Sequence, residues 1–253
     1  MTSAASPVLP WLLPHEPFPP VEEAWGPNSP APGLLAAGGH LDTPTLVRAY
    51  RQGIFPWYSD GQPILWWHTQ PRMVLKTSQF HLTHSLRKQL RTETRRGSLH
   101  VTFDQAFRVV IESCARVPRA GQHGTWITAD MVEAYVELHR AGVAHSVEVW
   151  RHGELAGGLY ALNIGQMVYG ESMFSLQANA SKTALAALVA FCRVQGLPVI
   201  DCQQQTSHLA SLGAKPIESA EFGALLNALT PQPSPQWRFD NLFWSAVLDP
   251  TRL

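Results

Sequence analysis

The 253-residue sequence predicts an α+β fold, a small N-terminal domain followed by a larger one built around a central, mostly antiparallel sheet. Three observations carry this. The first thirty-odd residues are crowded with proline (Pro7, Pro10, Pro14, Pro17, Pro19, Pro20, Pro27, Pro30, Pro32), which removes amide donors and fixes φ, so neither helix nor central strand runs there. Three stretches between residues 43 and 141 carry apolar residues at helical spacing. From His145 to Ser175 the period drops to two or to short apolar runs.

In chain order, a first helix is signalled by Thr43 as N-cap, Pro44 at the first helical position, the buried stripe Leu46, Val47, Ala49 and Tyr50, and Gly53 as the stop. A turn and a short apolar strand between Gln62 and Arg72 close the small domain near residue 71, so the boundaries are 1–71 and 72–253. Phe103 to Cys114 and Thr128 to Ala141 read as helices. The turns Arg151-His152-Gly153 and Asn163-Ile164-Gly165 divide the next segment into an antiparallel meander. A helix from Ser181 to Gln195, stopped by Gly196, precedes a buried strand from Val199 to Cys202.

Apolar residues make up 45% of the chain, enough to bury a sizeable core and to exclude a disordered or fibrous protein. Overall charge is balanced, with 19 basic and 19 acidic side chains, but its distribution is not. Between Arg72 and Arg119 lie ten Lys and Arg residues against Glu93, Asp104 and Glu112, a formal excess of +7. Such a local field is either a solvated helix face or the footprint of a phosphate-backbone partner. Cys114, Cys192 and Cys202 fit no disulfide framework or zinc spacing, which points to a reducing compartment. Trp11 to Leu13 is too short for a signal peptide or a membrane span, so a cytoplasmic protein with no membrane partner is expected.

Among residues able to carry chemistry, Trp57, Trp66, Trp67 and Trp126 stand at turns and element ends, where an indole can stack on a nucleobase; for any one of them, a place in the buried core weighs more. Glu171 sits among small and apolar residues in Gly170-Glu171-Ser172-Met173-Phe174-Ser175. Asp201 and Gln203 end an apolar strand, and alternation places them on one face. His81 and His84 have helical spacing, but no third ligand can be named beside them and no metal is expected.

Taken in register, these segments resemble the leucyl/phenylalanyl-tRNA:protein transferase family from about Phe18 to Ile217. The landmarks include Gly33-Leu34-Leu35-Ala36-Ala37-Gly38-Gly39, Gly53-Ile54-Phe55-Pro56-Trp57-Tyr58, Pro63-Ile64-Leu65-Trp66-Trp67 with Pro71-Arg72, and Gly124-Thr125-Trp126-Ile127. They continue through His145-Ser146-Val147-Glu148-Val149-Trp150, Gly157-Gly158-Leu159-Tyr160, Gly170 to Ser175, Ala180-Ser181-Lys182, Asp201-Cys202-Gln203 and Ser211-Leu212-Gly213-Ala214. The chain departs from the family pattern at His40, usually Asp, and at His68-Thr69-Gln70, usually Ser-Pro-Asp/Glu. Leu159 and Leu188 replace a frequent Met and a frequent Phe, which leaves the choice among apolar amino acids open.

The resemblance implies a C-terminal domain of the GCN5-related N-acetyltransferase type, agreeing with the element order. It implies transfer of leucine or phenylalanine from aminoacyl-tRNA to the α-amino group of acceptor proteins beginning with Arg or Lys, a tag for degradation in the N-degron pathway. A monomer is expected, and no cofactor, because charging the tRNA has already supplied the free energy. Asp201 and Gln203 would align the amine and Glu171 would recognise the acceptor's cationic end or orient the site. Trp57 and Trp126 would hold the 3′ end of the tRNA, and Leu159, Met173, Leu188 and Ile200 would enclose the amino acid. Arg87, Lys88, Arg91, Arg95 and Arg96 are assigned to the tRNA phosphates. Two alternatives stand beside this reading. A coenzyme-A-dependent N-acyltransferase is disfavoured by the glycine-free entry Gln177-Ala178-Asn179-Ala180-Ser181; a noncatalytic tRNA- or degron-binding protein is opposed by Glu171 and the Asp201/Gln203 pair.

Overall fold

The structure is a computed structural model that describes residues 9–117 and 127–249. Its elements run β1 (Trp11–Leu12), β2 (Leu34–Gly38), α1 (Thr43–Arg51), β3 (Phe55–Pro56), β4 (Leu65–Trp67), β5 (Arg72–Lys76), α2 (His84–Arg96), β6 (Leu99–Phe103) and α3 (Phe107–Arg116). There follow α4 (Ala129–Arg140), β7 (Ala144–Arg151), β8 (Glu154–Ile164), β9 (Met167–Ser175), α5 (Ala180–Val194), β10 (Val199–Asp201), α6 (Ser207–Ser211), β11 (Lys215–Ile217), α7 (Ser219–Leu229) and α8 (Ser245–Leu248).

Two sheets result. A four-stranded sheet in the order β1-β2-β4-β3 occupies the N-terminal part, and a seven-stranded sheet in the order β11-β5-β10-β9-β8-β7-β6 forms the rest. Within the larger sheet every pairing is antiparallel except β10 with β9. The α+β class and the meander expected between residues 145 and 175 are therefore present, the latter as β7, β8 and β9.

Some local readings shift by a residue or two. The N-cap of α1 is Asp42, not Thr43, because its carboxylate accepts the Thr45 amide at 2.9 Å and so satisfies a first-turn donor. Phe103 ends β6, and the helix expected there starts at Phe107. The helix expected from Thr128 begins at Ala129, with Thr128 as its N-cap. His81 lies outside α2, so the helical spacing assumed for His81 and His84 is not realised.

Apolar side chains gather on both faces of the large sheet. On one face Val110, Ile111, Tyr135, Tyr160 and Tyr169 join Leu35, Tyr50, Ile54 and Trp66, so this cluster is continuous across residue 71. The other face packs Leu75, Val149, Leu159, Ala161 and Ile200 against α5 and α2, through Leu188, Phe191, Leu86 and Leu90. Burying side chains of this size contributes about 1.5–3 kcal/mol each. Trp66 is fully buried and its indole N–H donates to the Gly38 carbonyl at 2.8 Å, which makes it a core residue instead of a stacking platform. No helix among the described residues is long and apolar enough to cross a membrane.

Candidate functional site

The parallel pairing of β9 with β10 is short, spanning Val168 and Tyr169 on one strand and Ile200 and Asp201 on the other. β10 ends there, while β9 runs on to Ser175 paired only with β8. A notch therefore opens in the sheet beyond Asp201. Glu171 stands on one lip and Gln203 on the other.

A β-bulge shapes the first lip. Ala161 pairs with Gly170 and Tyr160 with Ser172, so Glu171 is the extra residue. Strict alternation would put Met173 on the same face as Glu171. The extra residue instead sends Met173 to the opposite face, across from Leu159.

On the second lip the pairing of Asp201 and Gln203 is achieved by a turn, not by strand alternation. Gln203 has φ of +54°, in the left-handed region, and its amide N–H donates to Asp201 Oδ1 at 2.9 Å. Its carbonyl accepts from Thr69 Oγ1 at 3.0 Å and from the Met73 amide at 3.3 Å. The conformation costs roughly 1–3 kcal/mol for a residue other than glycine and persists because these bonds hold the peptide groups on both sides of Gln203. The turn aims the side chain across the notch, where Gln203 Nε2 donates to Glu171 Oε1 at 3.3 Å. With its amino group so engaged, the amide oxygen of Gln203 is left to accept.

Glu171 lies in a tyrosine cage. Tyr135 Oη donates to its Oε2 at 3.5 Å, the Tyr50 and Tyr135 hydroxyls hydrogen-bond each other, and Tyr169 Oη donates to the Tyr50 carbonyl at 2.9 Å. Burial pushes the Glu171 carboxyl up to about 8, and the Asp201 charge adds to the rise; hydrogen bonds from Tyr50 and Tyr135 and the Arg72 charge oppose it. Burial and the neighbouring carboxylate hold Tyr50 and Tyr135 well above the ordinary phenol range, so both remain hydroxyl donors.

Beneath the turn is an ion pair that sequence reasoning did not assemble. Arg72 Nε donates to Asp201 Oδ1 at 2.8 Å and Nη2 to Oδ2 at 2.7 Å, with both side chains essentially inaccessible to solvent. The guanidinium lies between the rings of Phe55 and Phe222, 5.0 and 4.6 Å from their centroids, and Nη1 donates to the Gly53 carbonyl at 3.0 Å. Gly53 is required here twice over: its φ is +71°, and a Cβ would approach Phe222 to 2.6 Å. His68 Nδ1 bonds the same carbonyl at 3.2 Å; burial, seconded by the Arg72 charge, lowers its pKa to about 4 and keeps it neutral. Arg72 was legible only as part of a Pro-Arg landmark, because its partner lies 129 residues away.

The other expected residues divide. Leu159, Leu188 and Ile200 are buried in the cluster on the α5 face and Met173 packs against it, so these four share one environment. Trp57 belongs to the N-terminal part; its ring meets Trp67 edge-on at 5.3 Å, and its carbonyl accepts the Trp67 indole N–H at 2.6 Å. Trp126 lies outside the described residues. On α2, Arg87 and Arg91 donate to the Leu248 carbonyl at 3.2 and 2.6 Å, and Arg91 also pairs with Asp249. Lys88, Arg95 and Arg96 are exposed. At the start of α5 the Ser181 amide donates to Ser175 Oγ at 2.9 Å, and the Thr183 amide to the Asn179 carbonyl at 2.9 Å.

Sequence comparison shows the family of the chain. The model described as leucyl/phenylalanyl-tRNA protein transferase matches residues 74–227, and the model of that family's N-terminal domain matches residues 39–70. The chain belongs to the leucyl/phenylalanyl-tRNA protein transferase family. A relative of that name from Polaromonas sp. is 56% identical over 95% of this chain and 94% of its own length. Others from Albidiferax ferrireducens and Leptothrix cholodnii are 56% and 54% identical, covering 98% and 96% of each chain respectively. A solved GCN5-related N-acetyltransferase from Kribbella flavida is 7% identical with a TM-score of 0.32 over 67% of this chain and 59% of that one, a distant likeness.

Proposed function

We propose that this transferase-family chain moves leucine, phenylalanine or methionine from aminoacyl-tRNA onto the α-amino group of proteins beginning with Arg or Lys, marking them for degradation through the N-degron pathway. The observation that carries the reading is the notch, with the Gln203 amide and the Glu171 carboxyl hydrogen-bonded across it. Leu159, Met173, Leu188 and Ile200 form an apolar environment on its α5 side and receive the amino-acid side chain. Trp57 and Trp126 hold the terminal nucleotide.

In the reaction the neutral amine attacks the ester carbonyl, a C–N bond forms and the ester C–O bond breaks. One proton leaves the amine and one is taken up by the departing ribose oxygen. About a tenth of α-amines are neutral at pH 7, so deprotonation costs only roughly 1.4 kcal/mol, whereas orienting two bound reactants contributes about 7–11 kcal/mol. Orientation is therefore the main task of the site. The side-chain amide oxygen of Gln203 accepts a hydrogen bond from the amine and steadies its developing positive charge, since an amide is too weak a base to remove the proton. Asp201 fixes the Gln203 turn. Glu171 sets the direction of the amide and, when ionised, draws in the cationic first residue of the acceptor.

Lys88, Arg95 and Arg96 on α2 track tRNA phosphates; Arg87 and Arg91 add to the field while holding the C-terminal segment. The Ser181 amide at the start of α5, occupied by Ser175 Oγ, weighs against a coenzyme-A pyrophosphate at that helix. The test is transfer of radiolabelled leucine or phenylalanine from charged tRNA to an Arg-initiated peptide, beside the same peptide N-terminally acetylated. Transfer to the free amine alone is expected; tRNA binding without transfer to either would make the chain a binding protein.

A further inference from the structure

Asp201 is entirely committed within the protein. Its Oδ1 accepts Arg72 Nε and the Gln203 amide, its Oδ2 accepts Arg72 Nη2, and none of the side chain is solvent-accessible. It has no free edge to offer a substrate. What it holds is the left-handed turn at Gln203, and what holds it is Arg72.

Arg72 is itself fixed from four directions. Phe55 and the Gly53 carbonyl come from the N-terminal part, Phe222 from α7 and the carboxylate from β10; the Arg72 backbone starts β5. A planar guanidinium satisfies a two-point carboxylate, a carbonyl and two ring faces at once, and an ammonium does not. This constellation is far more constrained than an ion pair placed only to neutralise charge, which apolar residues replace with little loss.

We propose that Arg72 is a positioning residue of the transfer reaction, whose guanidinium locks Asp201 and thereby the turn that presents the Gln203 amide oxygen to the acceptor amine. The proposal rests on the function proposed above. In it, the N-terminal part contributes to catalysis mechanically, by gripping Arg72 through Phe55 and Gly53.

The experiment is a double-mutant cycle read by single-turnover transfer from leucyl-tRNA to an Arg-initiated peptide. Arg72→Lys keeps the charge and loses the fork. It is expected to lower the transfer rate about 10- to 100-fold, the scale of an ångström-sized misplacement, with KM for leucyl-tRNA changed less than about threefold. In a Gln203→Ala background the same substitution is expected to cost less than about twofold, because the group it positions is gone. Phe222→Leu, which loosens one face of the stack and leaves the ion pair intact, is the second variant, run in case Arg72→Lys does not fold; its smaller loss should vanish in the Gln203→Ala background too. A wild-type rate in Arg72→Lys, or equal losses with and without Gln203, overturns the proposal and makes Arg72 a structural residue. Failure of the unsubstituted chain to transfer would instead overturn the function itself.

Discussion

On the face of the large sheet toward α1 and α4, Tyr50, Tyr135, Glu171 and the Arg72–Asp201 pair gather beside the notch; on the face toward α5, Leu159, Leu188 and Ile200 are buried in one apolar cluster with Met173 packed against it. The polar face is held by directional bonds, several of them between residues more than 80 positions apart in sequence. On the apolar face these four side chains are held by packing. In the proposed reaction the first controls how fast an amine attacks, whichever amino acid is delivered, and the second controls which amino acid is delivered. Directional bonds suit a task of orientation, and a packed apolar wall discriminates by only about 1–3 kcal/mol per methylene, which suits a transferase that accepts several apolar side chains.

On the polar face the greatest loss of stability is expected at Arg72. Arg72→Ala leaves the buried Asp201 carboxylate uncompensated and should destabilise the chain by about 3–5 kcal/mol, read from urea unfolding. On the opposite face Leu188→Ala should cost about 2–4 kcal/mol as a cavity forms, and it should raise transfer of phenylalanine relative to leucine, read by competing the two charged tRNAs. Equal losses of both amino acids would remove Leu188 from the pocket wall.

Glu171 sharpens the contrast through pH. Its folded-state pKa of about 8 stands above the ordinary 4.5, so between those values the folded chain binds a proton that the unfolded chain has released. Stability from this group is thus present at low pH and lost as pH rises through 8. Glu171→Gln, neutral throughout, should match wild type near pH 5 and exceed it near pH 9 by on the order of 1–2 kcal/mol, with water on the open side screening the rest. Identical pH profiles would place Glu171 in an ordinary solvated setting. The smallest effect on folding, below about 0.5 kcal/mol, is expected for Arg95→Ala with Arg96→Ala, exposed at the end of α2. Those changes should nonetheless reduce the slope of log affinity for tRNA against log salt by about 1–2.

The two faces also differed in how far sequence reasoning reached them. Local rules located α1 through its Pro44 start and Gly53 stop, α4 through its apolar spacing, and the meander through its glycine turns, since each depends on neighbours within a few residues. Local pattern singled out Glu171, Asp201 and Gln203, and the family resemblance supplied their expected roles and the four apolar residues. It did not supply the reasons for their placement. Asp201 and Gln203 share a site through a left-handed turn where alternation along a strand was expected, and Met173 reaches the face of Leu159 only because of the bulge at Glu171. The Arg72–Asp201 pair and the Tyr50–Tyr135 contact join distant segments, so no local pattern announces them. Arg87 and Arg91 read as free phosphate binders, yet their guanidinium groups hold the carbonyl of Leu248, a contact that composition cannot reveal.

The most direct measurement is single-turnover transfer from leucyl-tRNA and phenylalanyl-tRNA to one Arg-initiated peptide, made on Gln203→Ala and Leu188→Ala. Division of labour between the faces predicts that Gln203→Ala slows both transfers by about 100-fold with their ratio unchanged, while Leu188→Ala shifts the ratio by about tenfold or more. A Gln203→Ala enzyme that transfers at the wild-type rate, or that changes the leucine-to-phenylalanine ratio, would contradict it.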